Sequence, residues 1–126
     1  MDLDVLIVDD SAAIRRILMR VLRETELPIG QIYEAGDGVQ ALAELEQRKV
    51  GMVLSDINMP NMDGLQLLSR VATMDSMKGI PIVMISTEAA HGKAMEAVSL
   101  GAAGYVRRPF TAEQIQETLA SLLVAA

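Results

Sequence analysis

The chain has 126 residues and a mass of 13.6 kDa, the size of one domain, so residues 1–126 are expected to fold as a unit. It is 51% hydrophobic and 22% charged, which excludes a disordered tail or a collagenous repeat, and its lack of cysteine excludes thiol catalysis, zinc-thiolate sites and disulfides. A net charge of −6 and a pI near 4.7 argue against nucleic acid as a partner, since a sequence-independent grip on phosphates needs a basic surface.

Val5-Leu6-Ile7-Val8 is a continuous apolar run, the pattern of a strand buried on both faces. Ser11 then opens a helical segment with Ile14, Ile17, Leu18, Val21 and Leu22 as its apolar stripe. Arg16, Arg20 and Arg23 share another side of it and read first as a solvated face. Pro28 and Gly30 punctuate, and Ile32 to Ala35 reads as a short strand. Gly36-Asp37-Gly38 is a turn into a helix from Val39 to about Arg48, with Leu42 and Leu45 inward. Met52 to Ser55 is a third strand, followed by the loop Asp56 to Gly64. Asp63-Gly64 turns into a helix from Leu65 to about Met74, with Leu65, Leu68 and Ala72 at helical spacing. Ile80 to Ile85 is a fourth strand with Pro81 near its start. Ala89 to Leu100 is a fourth helix, weakened by Gly92, and lone His91 near its start reads as a surface residue. Gly104-Tyr105-Val106 is a fifth strand, broken by Arg108-Pro109-Phe110. Thr111 caps a last helix with Ile115, Leu119 and Leu122 inward.

Strand and helix thus alternate five times. Such alternation predicts an α/β fold, a (βα)5 doubly wound parallel sheet with helices on both faces and right-handed crossovers. The longest apolar runs are strand-length, so no segment is expected to span a bilayer, and the start Asp2-Leu3-Asp4 lacks the basic and apolar stretches of a signal peptide. The cytoplasm is the expected location.

Open sheets of this kind place ligands outside the carboxyl ends of their strands. Asp9 and Asp10 follow strand one, Asp56 follows strand three, Ser86 and Thr87 follow strand four, and Arg107 and Arg108 follow strand five. Each residue alone has a plain explanation: the acids as helix caps or turns, the hydroxyls as ordinary strand ends, the arginines as solvated charges. Their joint placement on one edge points to a site. Two like unit charges about 4 Å apart repel by roughly 4 kcal/mol at an effective dielectric of 20, and a hard cation relieves this. Carboxylate oxygens completed by water suit Mg²⁺. A carboxylate can also serve as the nucleophile that forms an aspartyl-phosphate.

These residues resemble the receiver domain of two-component response regulators, above all the single-domain chemotaxis (CheY-like) type, over nearly the whole chain. The acidic pair matches Asp9-Asp10 in Val8-Asp9-Asp10-Ser11, and the phospho-acceptor matches Asp56 in Ser55-Asp56-Ile57-Asn58-Met59-Pro60-Asn61-Met62-Asp63-Gly64. The switch hydroxyl matches Ser86, the switch aromatic Tyr105, and the family lysine falls at Arg108. The resemblance implies a flavodoxin-like strand order of 2-1-3-4-5. It implies Mg²⁺ held by Asp10, Asp56 and the carbonyl of Asn58, with Asp9 acting largely through water. It implies that Asp56 takes phosphoryl from a sensor histidine kinase, after which Ser86 and Tyr105 turn inward. The surface of helix four, strand five and helix five would then change its preference for an output partner, such as a flagellar motor switch. A monomer is expected, with catalysis limited to its own phosphorylation and dephosphorylation. Asn58 and Glu88 match positions that tune the phosphoryl lifetime.

Three departures stand out. Arg108 replaces Lys, Thr87 stands where the family usually has Ala or Gly, and Ser86 replaces the more usual Thr. Arg and Lys are not interchangeable at a tight site, and the bulk of Thr87 is expected to slow phosphorylation and dephosphorylation. Arg107 is expected to point to the other face of its strand. A cis peptide is expected at Arg108-Pro109. Arg108 and Thr87 also support an alternative, a receiver fold that signals without phosphorylation. A Mg²⁺-dependent phosphohydrolase working through an aspartyl-phosphate is a more remote alternative, since Asn58 stands where such enzymes carry their general acid.

Overall fold

The apolar runs become strands and the helix-period segments become helices in the computed structural model, which describes residues 2–87 and 91–125. In chain order the elements are β1 (Leu3–Val8), α1 (Ala12–Glu24), β2 (Ile29–Ala35), α2 (Gly38–Gln47) and β3 (Met52–Asp56). They continue with α3 (Gly64–Ala72), β4 (Ile82–Ser86), α4 (His91–Ser99), β5 (Gly104–Arg107) and α5 (Ala112–Ala125). The strands are all parallel and lie in the order β2-β1-β3-β4-β5. The chain steps from β1 to β2 in one direction, then crosses back over β1 to β3 and continues outward. With crossovers of one hand, that reversal puts α1 and α5 on one face and α2, α3 and α4 on the other.

The core divides accordingly. Side chains alternate across a strand. Val5, Ile7, Leu54, Val83 and Ile85 therefore meet Leu18 and Leu22 of α1 and Ile115 and Leu119 of α5. Leu6, Val8, Val53 and Met84 meet Ala41 and Leu45 of α2, Leu67, Leu68 and Val71 of α3, and Ala94 and Ala97 of α4. Fully burying one such Leu or Ile contributes about 1.5–3 kcal/mol, so two complete layers hold the sheet without cross-links.

Several expected boundaries and faces shift. β2 begins at Ile29, so Gly30 lies inside the strand rather than before it. There its lack of a Cβ admits the Asp4 carboxylate, which accepts the Gln31 N–H at 2.8 Å. β4 begins at Ile82, and Pro81 stays outside, although its carbonyl still accepts the Val53 N–H at 3.0 Å. The inward face of α3 is Leu67, Leu68 and Val71, while Ala72 is exposed. At about 100° per residue, Leu65 and Ala72 sit to one side of that stripe. Ile17 is likewise 44% exposed, about a quarter-turn from the buried Leu18.

Helix starts follow local chemistry. Ser11 accepts the Ile14 N–H through Oγ at 3.3 Å, and Thr111 accepts the Gln114 N–H at 3.1 Å while Gln114 accepts the Thr111 N–H at 2.9 Å. Asp63 and Gln66 make the same reciprocal pair at α3, at 2.8 and 3.0 Å. The Arg108-Pro109 peptide is cis, as expected. The expected start of α4 at Ala89 and the lifetime position Glu88 lie outside the described residues, as does the side chain of His91.

Candidate functional site

The topology reverses between β1 and β3, and the site lies at their carboxyl ends. β1 delivers Asp9 and Asp10, β3 delivers Asp56, β4 delivers Ser86 and then Thr87, and β5 leads to Arg108. Asp9, Asp10 and Asp56 each present an oxygen within 4.8 Å of the others. The three are graded in exposure: Asp9 is buried, Asp56 intermediate and Asp10 exposed.

Asp9 spends both carboxylate oxygens on the protein. Oδ1 accepts the Ser11 N–H at 2.8 Å, and Oδ2 accepts Arg108 Nη2 at 2.5 Å. Asp56 Oδ1 accepts its neighbour's Ile57 N–H at 2.8 Å and lies 3.5 Å from the same Arg108 Nη2. Asp56 Oδ2 and the Asp10 carboxylate have no hydrogen-bond partner among the described residues. Burial, then the charge of Asp9, pushes the Asp56 carboxyl up to about 6, against the opposing pull of Arg108 and the Ile57 N–H. Burial also raises Asp9, opposed by the Ser11 N–H and by Arg108.

Two buried donors at this edge lack partners among the described residues, Ser86 Oγ and Arg108 Nε. Buried polar atoms are normally paired, and an orphaned pair beside an acidic pocket is what an incoming oxyanion would satisfy. Arg108 is held from its backbone as well, its N–H reaching the Ser86 carbonyl at 2.7 Å. Arg107 is exposed, on the opposite side of β5 from the buried Val106 that precedes it. Tyr105 is half-buried against the core layer shared with α4.

The family model for the response regulator receiver domain matches residues 5–120. The chain belongs to this family. The chain is 37% identical over 118 residues to chemotaxis protein CheY-3 of Vibrio cholerae, covering 94% of this chain and 89% of that protein. It is 37% identical over 115 residues to chemotaxis protein CheY of Pseudomonas aeruginosa, covering 91% of each. Among solved structures it is similar to the chemotaxis response regulator CheY4 of Vibrio cholerae, with TM-score 0.84, 32% identity and coverage of 97% of this chain and 99% of that one. It is also similar to the NtrX receiver domain of Brucella abortus, with TM-score 0.86, 28% identity and coverage of 98% and 100%. The protein is a two-component response regulator with a flavodoxin-like receiver fold.

In this receiver the β3–α3 loop is braced from two sides. Asn61, at φ 65°, donates from Nδ2 to Asp37 Oδ2 at 2.7 Å, and the Gly38 N–H reaches the Met62 carbonyl at 3.0 Å. The Asn61 amide, followed by the Gln40 N–H, holds the Asp37 carboxyl below its usual range. On the α4 side, Lys93 Nζ donates to Asn58 Oδ1 at 3.0 Å. Sequence reasoning missed these braces and the contact of Arg15 with the Asp9 carbonyl. No local signal marks them, because each pairs residues from separate elements.

Gly64 closes the loop by donating its N–H to the Ile57 carbonyl at 2.7 Å. A Cβ there would lie 2.5 Å from the Asp56 carbonyl oxygen and 3.0 Å from Ile57 Cα. Both are backbone atoms that cannot swing aside. Gly64→Ala is expected to destabilise the fold by ~1–3 kcal/mol despite the better helix propensity of Ala. Urea denaturation checks this, and an unchanged midpoint would show that the loop shifts without cost.

Proposed function

We propose that residues 1–126 form a phosphorylation-controlled switch without enzymatic action on outside substrates, and that Asp56 accepts the phosphoryl group. The observation that carries this reading is the convergence of Asp9, Asp10 and Asp56 within 4.8 Å, with Arg108 bridging two of them. The donor set fits Mg²⁺: hard oxygens, with Asp10 and Asp56 Oδ2 unspent and the Asn58 carbonyl accepting no hydrogen bond among the described residues. Asp10, Asp56 and the Asn58 carbonyl would hold the ion. Asp9 would act through water, because Ser11 and Arg108 already occupy its oxygens. When bound, Mg²⁺ neutralises charge on the carboxylates and on the transferring phosphoryl oxygens.

At pH 7 most Asp56 is ionised, even with its carboxyl pushed up to about 6, and is competent as a nucleophile. An Asp56 oxygen bonds to phosphorus as the bond to the donor's histidine nitrogen breaks, and the imidazole leaves carrying the electron pair. Ser86 Oγ and Arg108 supply hydrogen bonds to the new dianion. Thr87, half-buried at the end of β4, slows approach by its bulk. Tyr105 follows Ser86 inward and alters the surface of α4, β5 and α5. That surface has an open cleft of about 700 Å³ lined by Tyr105, Arg107, Pro109, Gln114 and Glu117. Met95 and Val98 are exposed on α4.

A sensor histidine kinase is the proposed donor, which makes the cytoplasm the working compartment. The chemotaxis proteins among the relatives favour chemotaxis, with a flagellar motor switch or another output protein as receiver of the signal. The net charge of −6 favours a monomer before phosphorylation and disfavours nucleic acid. Among the described residues no helix is long and apolar enough to cross a membrane, so no membrane contact is invoked.

Intact-mass spectrometry after incubation with acetyl phosphate tests the reading. A gain of one phosphoryl group with Mg²⁺, absent with EDTA, is expected. Millimolar Mg²⁺ alone should also raise the melting temperature by relieving carboxylate repulsion. A melting temperature indifferent to Mg²⁺ would count against the metal site.

A further inference from the structure

Asp10 is exposed, and its carboxylate has no protein partner among the described residues, so its placement depends on the backbone that carries it. That backbone is tied down by an arginine five residues further on. Arg15 projects from the first turns of α1, with its side chain 19% exposed. Its Nη1 donates to the Asp9 carbonyl oxygen at 2.6 Å, and its Nε pairs with Glu34 Oε1 on β2 at 2.9 Å. One guanidinium therefore joins α1, the end of β1 and the neighbouring strand. The Asp9 N–H is fixed separately, on the Ala35 carbonyl at 3.1 Å.

The Asp9 carbonyl belongs to the peptide plane linking Asp9 to Asp10. Fixing that oxygen fixes the plane, and with it the Asp10 amide and Cα. From this geometry we infer that Arg15 is a positioning residue for the acidic pair: it orients the Asp9–Asp10 peptide so that the Asp10 carboxylate faces the divalent-cation site. The inference rests on the Mg²⁺ reading above. Planar, forked arginine suits the task, since two donors at fixed separation can hold a carbonyl and a carboxylate at once. A lysine would reach only one of them at a time.

Charge and positioning make opposite predictions. As a nearby cation, Arg15 repels Mg²⁺, so its removal would tighten binding if charge alone mattered. As a positioning residue, its removal loosens Asp10 and weakens binding. Outer partners of metal ligands typically cost 10–100-fold in affinity when lost.

The test is Mg²⁺ titration by calorimetry on the full chain, well below the melting temperature of every variant. Arg15→Met is expected to weaken Mg²⁺ binding roughly tenfold, with Arg15→Lys intermediate. In the acetyl-phosphate reaction, half-saturating Mg²⁺ should rise by the same factor, while the rate at saturating Mg²⁺ stays unchanged. Unchanged or tighter binding by Arg15→Met, with binding lost in Asp10→Asn, overturns the inference and leaves the metal reading intact. A wild-type protein that takes no Mg²⁺, or an Asp10→Asn variant that binds like wild type, overturns both. Should Arg15→Met fail to fold, Glu34→Ala removes the other end of the strap, and wild-type affinity there overturns the inference as well.

Discussion

Asp56→Asn is expected to abolish phosphate incorporation and to make the metal-free protein more stable at neutral pH. The first effect follows from the loss of the nucleophilic oxygen: an amide in the same place forms no aspartyl-phosphate. Mass spectrometry with acetyl phosphate and Mg²⁺ reads it directly, and retained incorporation at another residue would refute Asp56 as acceptor. The second effect follows from burial and from the Asp9 charge. The Asp56 carboxyl is ordinarily at 3.8 and rises to about 6 in the folded protein. Between those values the native state binds the proton more tightly than the unfolded chain does. Stability therefore falls as pH rises through that window, and the loss is complete above about 6. Its size is on the order of 3 kcal/mol. Asn carries no such dependence, so its advantage over wild type should be small near pH 4 and largest above pH 6. Denaturant melts in EDTA at several pH values decide this. Equal advantages at pH 4 and pH 7.5 would show that the carboxylate is not strained by its neighbours.

Arg108→Lys is expected to speed phosphorylation by roughly tenfold, equivalent to ~1.4 kcal/mol of barrier, or to strengthen activation of the output surface. Arg108 Nη2 is engaged by Asp9 at 2.5 Å and stands 3.5 Å from Asp56 Oδ1, so the guanidinium already lies between the acids before any phosphoryl group arrives. Its Nε is buried without a partner among the described residues. Lysine is a compact point charge on a flexible stem and can leave Asp9 for a phosphoryl oxygen with less rearrangement. Arg108→Met gives the opposite control. It strands Asp9 in a buried position without its cation, so it should slow incorporation and destabilise the fold. Acetyl-phosphate kinetics on the three proteins separate the cases. If Arg108→Lys changes neither the rate nor the response of the output surface, the arginine is a full replacement. If neither wild type nor Arg108→Lys incorporates phosphate, either the phosphoryl lifetime is too short to catch or the receiver is silent to phosphorylation.

Asp56 and Arg108 follow strand ends, and that much is legible because strands and helices differ in the pattern of their apolar residues. Val5 to Val8 and Met52 to Ser55 are short apolar runs of strand length, and a parallel sheet sends every strand's carboxyl end to one edge. That alone puts Asp9, Asp10, Asp56, Ser86 and Arg108 on a common edge. The face of α3 is legible in part: Leu68 is buried and Leu65 packs against the core, but Ala72 is exposed while Leu67 and Val71 turn inward, since all five are apolar and periodicity alone does not say which of two adjacent stripes meets the sheet. Gly30 reads as punctuation in the sequence, because its place in the strand depends on the Asp4 side chain from β1.

The sequence by itself determined the alternation of elements, the two-layered core and the gathering of acids, hydroxyls and a cation at one sheet edge. These are local or periodic properties, written in neighbouring residues. Only the tertiary structure decided who holds whom at that edge. Among the described residues Asp9 is saturated by Ser11 and Arg108 while Asp10 stays open, Ser86 Oγ has no partner, and Arg15 reaches back to the Asp9 carbonyl. Arg108 and Asp9 are 99 residues apart, and their 2.5 Å contact depends on the packing of the whole sheet between them. Hydrogen bonds decay over tenths of an ångström, and no spacing rule along the chain carries that precision across separate strands.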